Sequence, residues 1–185
     1  MLLNRSVALI GFMGCGKTTV ANHLIRLFSV CGFAPALIDV DAEIEQATKM
    51  PLAMIFSKHG EGHFRGLEYD FYQNLSLELT GQAIIATGGG VVTNPQNIAT
   101  LQQHATIYYL SATPDKIMKN LDGDTSRPLL PICPIRRLAV VTDMLASREP
   151  LYRQAADHII DTDALNPRQI AEKICEIHTT STISR

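Results

Sequence analysis

Residues 11–18 read Gly11-Phe12-Met13-Gly14-Cys15-Gly16-Lys17-Thr18, an instance of G-x-x-x-x-G-K-[ST]. The context is as informative as the match. Residues 6–10 (SVALI) form an apolar run of strand length, and residues 17–28 carry apolar positions at helical spacing. A glycine loop between a buried strand and a helix turns backbone N–H groups toward phosphate oxygens, and the helix N-terminus favours the same charge. Lys17 is placed to reach the β- and γ-phosphates, and the Thr18 hydroxyl to ligate Mg²⁺. Gly11, Gly14, Cys15, Gly16, Lys17, Thr18 and Thr19 are therefore the expected nucleotide-binding residues, with Cys15 as a small filler. Neither an NKxD guanine reader nor a DxxG switch occurs in the chain, which favours ATP over GTP.

Outward from this loop, strand-length runs alternate with helical ones, the pattern of an α/β protein with helices on both faces of a parallel sheet. The strands fall at residues 6–10, 36–40, 83–87, 106–110 and 158–160, predicting a five-stranded sheet. Helices are expected at 17–28, 42–48, 52–59, 61–80, 95–104, 114–121 and 166–178. Gly88, Gly89 and Gly90 form a turn that no helix or strand would choose. Periodicity fails between 122 and 134, a segment holding Gly123, Pro128, Pro131, Pro134 and Arg127, and this is the expected mobile lid. An ordinary surface loop has the same composition. The whole pattern fits one domain over 1–178 followed by a flexible tail at 179–185.

Asp39 and Asp41 close the second strand one residue apart, which in an extended chain aims both carboxylates to one face. One can hold Mg²⁺ while the other accepts a proton from an incoming hydroxyl; equally, both can cap the helix that follows. Arg65, Arg127 and Arg148 stand far apart in sequence; two of them near Asp41 would make a pocket for an anionic substrate. His59 and His63 fall four apart, but Gly60 and Gly62 interrupt the helix and no HExxH surrounds them, so the motif does not suit a metal.

Composition excludes other classes. Sixteen Lys and Arg against eighteen Asp and Glu leave a net charge of -2, without the basic excess of a nucleic-acid-coating protein. No apolar run approaches the ~20 residues that span a bilayer. Cys15, Cys31, Cys133 and Cys175 form no CxxC pair, which suits a reducing compartment, and a cytoplasmic monomer is expected.

Taken together and in order, GFMGCGKTT at 11–19, DVDAEIE at 39–45, GEGHFRGLE at 60–68, GGGVV at 88–92, RPLL at 127–130 and REPLYR at 148–153 resemble the shikimate kinases along nearly the whole chain. The resemblance implies a P-loop kinase, similar to the nucleoside monophosphate kinases in fold. Its substrates would be ATP and shikimate, with Mg²⁺ as cofactor, and its product shikimate 3-phosphate. It also implies roles. Asp41 takes the proton of the 3-hydroxyl, and Asp39 orients Mg²⁺ through water. Arg65 and Arg148 clamp the shikimate carboxylate, with Glu68 holding both, while Gly88, Gly89 and Gly90 let the substrate approach. Arg127 swings over the transferring phosphoryl group and Pro167 lies against adenine. Two positions depart from the family: Asn120 stands where many members place an arginine against adenine, with Lys119 as a substitute, and Arg136 and Arg137 compete for the nucleotide. Another small-molecule kinase of this fold, acting on gluconate or a nucleoside monophosphate, and a non-catalytic nucleotide-binding module are the alternatives.

Overall fold

The computed structural model describes residues 5–78, 83–124, 127–131 and 133–183. Five parallel strands form one sheet in the order β2-β3-β1-β4-β5. They are β1 (Ser6–Ile10), β2 (Ala36–Asp39), β3 (Ala83–Ala86), β4 (Ala105–Ser111) and β5 (His158–Asp161). The central β1 and β3 are buried at every position, as expected of apolar runs covered on both faces, whereas the edge strands β2 and β5 are partly exposed. Register pairs Val7 with Ile84 on one side of β1 and with Thr106 on the other. The carboxyl ends of β1, β2 and β3 therefore lie side by side at one edge of the sheet, where ligands bind in open α/β folds.

The helices are α1 (Lys17–Val30), α2 (Val40–Thr48), α3 (Leu52–Glu78), α4 (Pro95–His104), α5 (Pro114–Asn120), α6 (Pro134–Ala155) and α7 (Pro167–Ile183). A 3-10 turn, Val91–Thr93, follows the triple glycine and was not expected from the sequence. Capping explains the starts of several helices. Asn94 accepts from Gln96 N, Thr113 from Lys116 N, and proline occupies the first turn of α4, α5 and α6.

Three expectations need correction. The second strand ends at Asp39, whose carboxylate accepts from Ala42 N and caps α2, so Asp41 lies in the first helical turn rather than on the strand. By contrast, the expected helices 52–59 and 61–80 are borne out as the two halves of α3, which meet at a non-helical Gly60 with φ 80° and ψ 170°; residues 79–80 lie outside the described residues. Helix α6 is not expected from the sequence at all, because Arg136, Arg137, Arg148 and an interior Pro150 blur its apolar period. Finally, α7 continues past 178 to Ile183, the Thr179 and Thr180 hydroxyls donating to carbonyls one turn back. Between Leu121 and Cys133 the described residues form neither helix nor strand.

His178 ties α7 beneath the sheet. Its Nε2 donates to the Arg5 carbonyl at 3.2 Å, and its Nδ1 accepts from the Tyr108 hydroxyl at 3.1 Å. That pairing requires the neutral ring, and burial holds the imidazole below its ordinary value. The unfolded chain thus takes up a proton near pH 6.5 that the fold refuses, so stability is full above that pH and falls as pH drops below it. His178→Gln is expected to flatten the fall in thermal midpoint between about pH 6.5 and 5 while costing about 1 kcal/mol at about pH 8; an unchanged slope would contradict the assignment.

Candidate active site

The phosphate loop follows β1 and takes backbone angles that favour glycine: φ is 147° at Gly11, 80° at Gly14 and 93° at Gly16. A side chain at Gly14 would meet Leu121 at 2.7 Å. Gly11 lies at the base of the loop, where a Cβ would strike the Leu110 carbonyl at 2.7 Å. Cys15 is buried behind the loop, as a filler would be. Lys17 Nζ donates to the carbonyls of Gly11 at 2.8 Å and Phe12 at 3.0 Å, which keeps the ammonium against the loop. The Thr18 hydroxyl donates to Asp39 Oδ2 at 2.8 Å, joining the first turn of α1 to the end of β2. Asn120 Nδ2 donates to the Gly14 carbonyl at 2.8 Å. A cleft of about 390 Å³ opens here, lined among others by Gly14, Gly16, Lys17, Thr18, Thr19, Asn120 and Pro167.

The triple glycine after β3 faces this loop across a gap too narrow for side chains. A Cβ at Gly89 would sit 2.9 Å from the Met13 backbone nitrogen, and one at Gly90 would land on the Arg65 guanidinium. At Gly88 it would meet Glu68 Oε1 at 2.7 Å and Asp41 Oδ1 at 3.0 Å. Arg65 donates through Nη1 to Glu68 Oε2 at 2.8 Å and through Nη2 to Glu61 Oε1 at 2.9 Å. Arg148, carried on α6 and nearly buried, donates to the Gly89 carbonyl at 3.3 Å and lies over the Phe12 ring. The Tyr152 hydroxyl bonds the same carbonyl. A second, smaller pocket of about 60 Å³ is lined by Asp41, Arg65, Gly88, Gly89, Gly90 and Arg148, with Phe56 and Phe64 as apolar walls. Asp41 and Arg127 line both spaces.

Burial raises the Asp41 carboxyl above its ordinary value; Lys17 opposes the rise, Asp39 adds to it, and Arg127 and Arg65 oppose it. Burial raises Glu68 as well, against the pull of Arg65. The groups form a mixed field in which a half-buried carboxylate is surrounded by three cations. Arg127 Nε is held by Asp124 Oδ2 at 2.9 Å. A larger cavity of about 440 Å³, lined by Ile44, Phe71 and Leu75 beside β2, is separate and carries no phosphate-binding loop.

The structure thus brings the sequence-selected residues to one edge of the sheet. The carboxylate pair is assembled by a helix cap rather than by strand alternation. Glu68 bonds Arg65, whereas the described bond of Arg148 goes to Gly89 instead. Arg137 is buried and donates to the carbonyls of Pro131 and Leu121, so it fastens the ends of the 122–134 segment; Arg136 is exposed. Phe56, Phe64, Glu61 and Tyr152 were not anticipated from the sequence. Only the folding of α3 and α6 against the glycine turn reveals them, although Glu61 four residues before Arg65 is an ion-pair spacing readable on any helix.

A five-stranded parallel sheet with a glycine-rich loop running from β1 into α1, and a half-buried carboxylate shared by a phosphate cleft and an arginine-lined pocket, defines a P-loop kinase. Comparison with known proteins narrows the class. The family model for shikimate kinase matches residues 13–179. The chain is 37% identical over 175 residues to a shikimate kinase of Caldicellulosiruptor saccharolyticus, covering 94% of this chain and 95% of that one. It is 39% identical over 171 residues to one of Thermodesulfovibrio yellowstonii, covering 92% of each. A solved shikimate kinase of Acinetobacter baumannii in complex with shikimate superposes with a TM-score of 0.86 at 32% identity, covering 96% of this chain and 94% of that one. The chain belongs to the shikimate kinase family.

Because Gly88 sits between two carboxylates, Gly88→Ala overfills a closed space and is expected to cost about 1–3 kcal/mol, read as a lowered urea midpoint. Unchanged stability would mean that the close approach to Glu68 and Asp41 is not made.

Proposed function

We propose that this chain transfers the γ-phosphoryl group of ATP to the 3-hydroxyl of shikimate, giving shikimate 3-phosphate and ADP. The observation that carries the reading is that Asp41 and Arg127 line both the phosphate cleft and the arginine-lined pocket, so one carboxylate and one cation serve both substrates. ATP lies with its phosphates on the amides of residues 11–19, its terminal phosphates near Lys17 and its base toward Pro167. Shikimate offers its carboxylate to Arg65 and Arg148 and its ring to Phe56 and Phe64. The 3-hydroxyl oxygen forms a bond to the γ-phosphorus as the bond to the bridging oxygen of ADP breaks, and its proton passes to Asp41. Positioning and charge neutralisation dominate such a transfer, and the bidentate geometry of arginine suits an organic acid.

The Thr18 hydroxyl and Asp39 carboxylate, 2.8 Å apart, are hard oxygen donors suited to Mg²⁺. No cluster of three His, Cys, Asp or Glu that could hold a metal occurs among the described residues, consistent with a shell completed by phosphates and water. Mg²⁺ held there would neutralise charge on the β- and γ-phosphates. Arg127 leaves Asp124 to meet the phosphoryl group when the 122–134 lid closes. Among the described residues no helix is long and apolar enough to cross a membrane. The proposal includes a cytoplasmic monomer that acts on small molecules rather than on nucleic acid or a membrane, a reading that rests on the net charge of -2 and the absence of a CxxC pair in the sequence.

A coupled assay for ADP release tests this function. Release that depends on shikimate is expected, with Asp41→Asn lowering kcat by about 10²–10⁴ and Arg127→Ala by about 10³–10⁵. Release driven equally by gluconate or a nucleoside monophosphate would contradict the acceptor assignment. A base must be unprotonated, and burial raises Asp41, so kcat/KM should fall as pH drops through a midpoint above the 3.8 of an ordinary aspartate. A pH–rate profile with its acid limb at or below that value would remove Asp41 as the base.

A further inference from the structure

Helix α3 breaks at Gly60, and nothing lies within 4 Å of the place a side chain would occupy there. The break interrupts a wall of the arginine-lined pocket: Leu52 and Phe56 precede it, and Phe64 and Arg65 follow it. His59 and His63 stand on either side of the break, both exposed to solvent. Their rings nevertheless come together, with centroids 4.9 Å apart and planes at 42°. Phosphoryl transfer uses neither.

That separation has a chemical meaning. Metal–imidazole bonds are about 2.0–2.1 Å long, and the donor nitrogen lies about 1.1 Å from the ring centre. Two imidazoles at roughly 90–110° about one ion therefore have centroids about 4.5–5.2 Å apart. The observed spacing falls inside this range, so the pair that the broken helix and the missing HExxH set aside in the sequence is close enough to share an ion. Neutral imidazoles favour Ni²⁺, Cu²⁺ and Zn²⁺ over Mg²⁺, which prefers oxygen. Among the described residues no third His, Cys, Asp or Glu completes a cluster, so water fills the other positions and the ion exchanges readily.

We propose that His59 and His63 form a bidentate site for a divalent transition-metal ion, which clips the two halves of α3 across Gly60 and holds the acceptor pocket closed. The pocket in this state has about 60 Å³, well short of the roughly 300 Å³ or more of small-molecule sites. The acceptor must part its walls, and the glycine break is the joint at which α3 can yield. The ion fixes that joint. The effect on the acceptor rests on the function proposed above; the metal site does not.

Untagged full-length protein titrated calorimetrically with NiCl₂, without nucleotide, should show a site that either His59→Ala or His63→Ala weakens at least tenfold. Ni²⁺ should slow amide hydrogen exchange across residues 52–66 in the native chain and not in the variants. In the Mg²⁺-supported assay it should raise the shikimate KM several-fold, again only in the native chain. Equal Ni²⁺ binding in native and variant proteins would overturn the site. Binding at the pair with unchanged exchange, or with a lowered or constant KM, would overturn the clip. Lack of shikimate turnover would strike the functional reading instead, with calorimetry and exchange still deciding the metal proposal.

Discussion

Two glycine-rich turns touch at the ends of adjacent parallel strands, and the site depends on that contact. The turn after β1 and the turn after β3 approach so closely that a methyl group on Gly89 would lie 2.9 Å from the Met13 nitrogen. In-register pairing of β1 with β3 fixes the two turns at the same height on the sheet. The phosphate loop and the triple-glycine turn are thereby separated by little more than a backbone. The remaining parts of the site arrive from α2, α3 and α6 around this junction.

Charge is distributed to match. Asp41 lies half-buried among Lys17, Arg127 and Arg65, with Asp39 as the like-charged neighbour. Burial raises its affinity for a proton, and the cations keep the rise in check. Glu68 plays the complementary part. Wholly buried, it bonds Arg65 from beneath, while Glu61 grips the same guanidinium from the solvent side. Arg148 and Tyr152 both hold the Gly89 carbonyl, so α6 braces the triple-glycine turn as well as supplying an arginine to the pocket.

The phosphate loop was legible because its constraint is local: glycine at 11, 14 and 16, then Lys17 and Thr18, is a requirement that only nearby residues can meet. The triple glycine was legible as an anomaly, although its cause, the Arg65 guanidinium and the Met13 backbone, lies in other elements. Helix α6 was not legible, since Pro150 and four arginines disrupt the period that marks a helix, and burial of Arg137 and Arg148 depends on partners remote in sequence. The carboxylate pair was read with the right residues and the wrong local geometry, because Asp39 ends its strand by capping the next helix. Phe56 and Phe64 became part of the site only through the break at Gly60, which places both flanks of α3 on one pocket.

Crystals of the protein with a non-hydrolysable ATP analogue, Mg²⁺ and shikimate would test the shared junction most directly. The 3-hydroxyl oxygen should lie about 3–3.5 Å from the γ-phosphorus and within hydrogen-bond reach of Asp41, with the shikimate carboxylate on Arg65 and Arg148. Shikimate bound away from Asp41, or a hydroxyl that does not face the γ-phosphate across the two glycine turns, would contradict it.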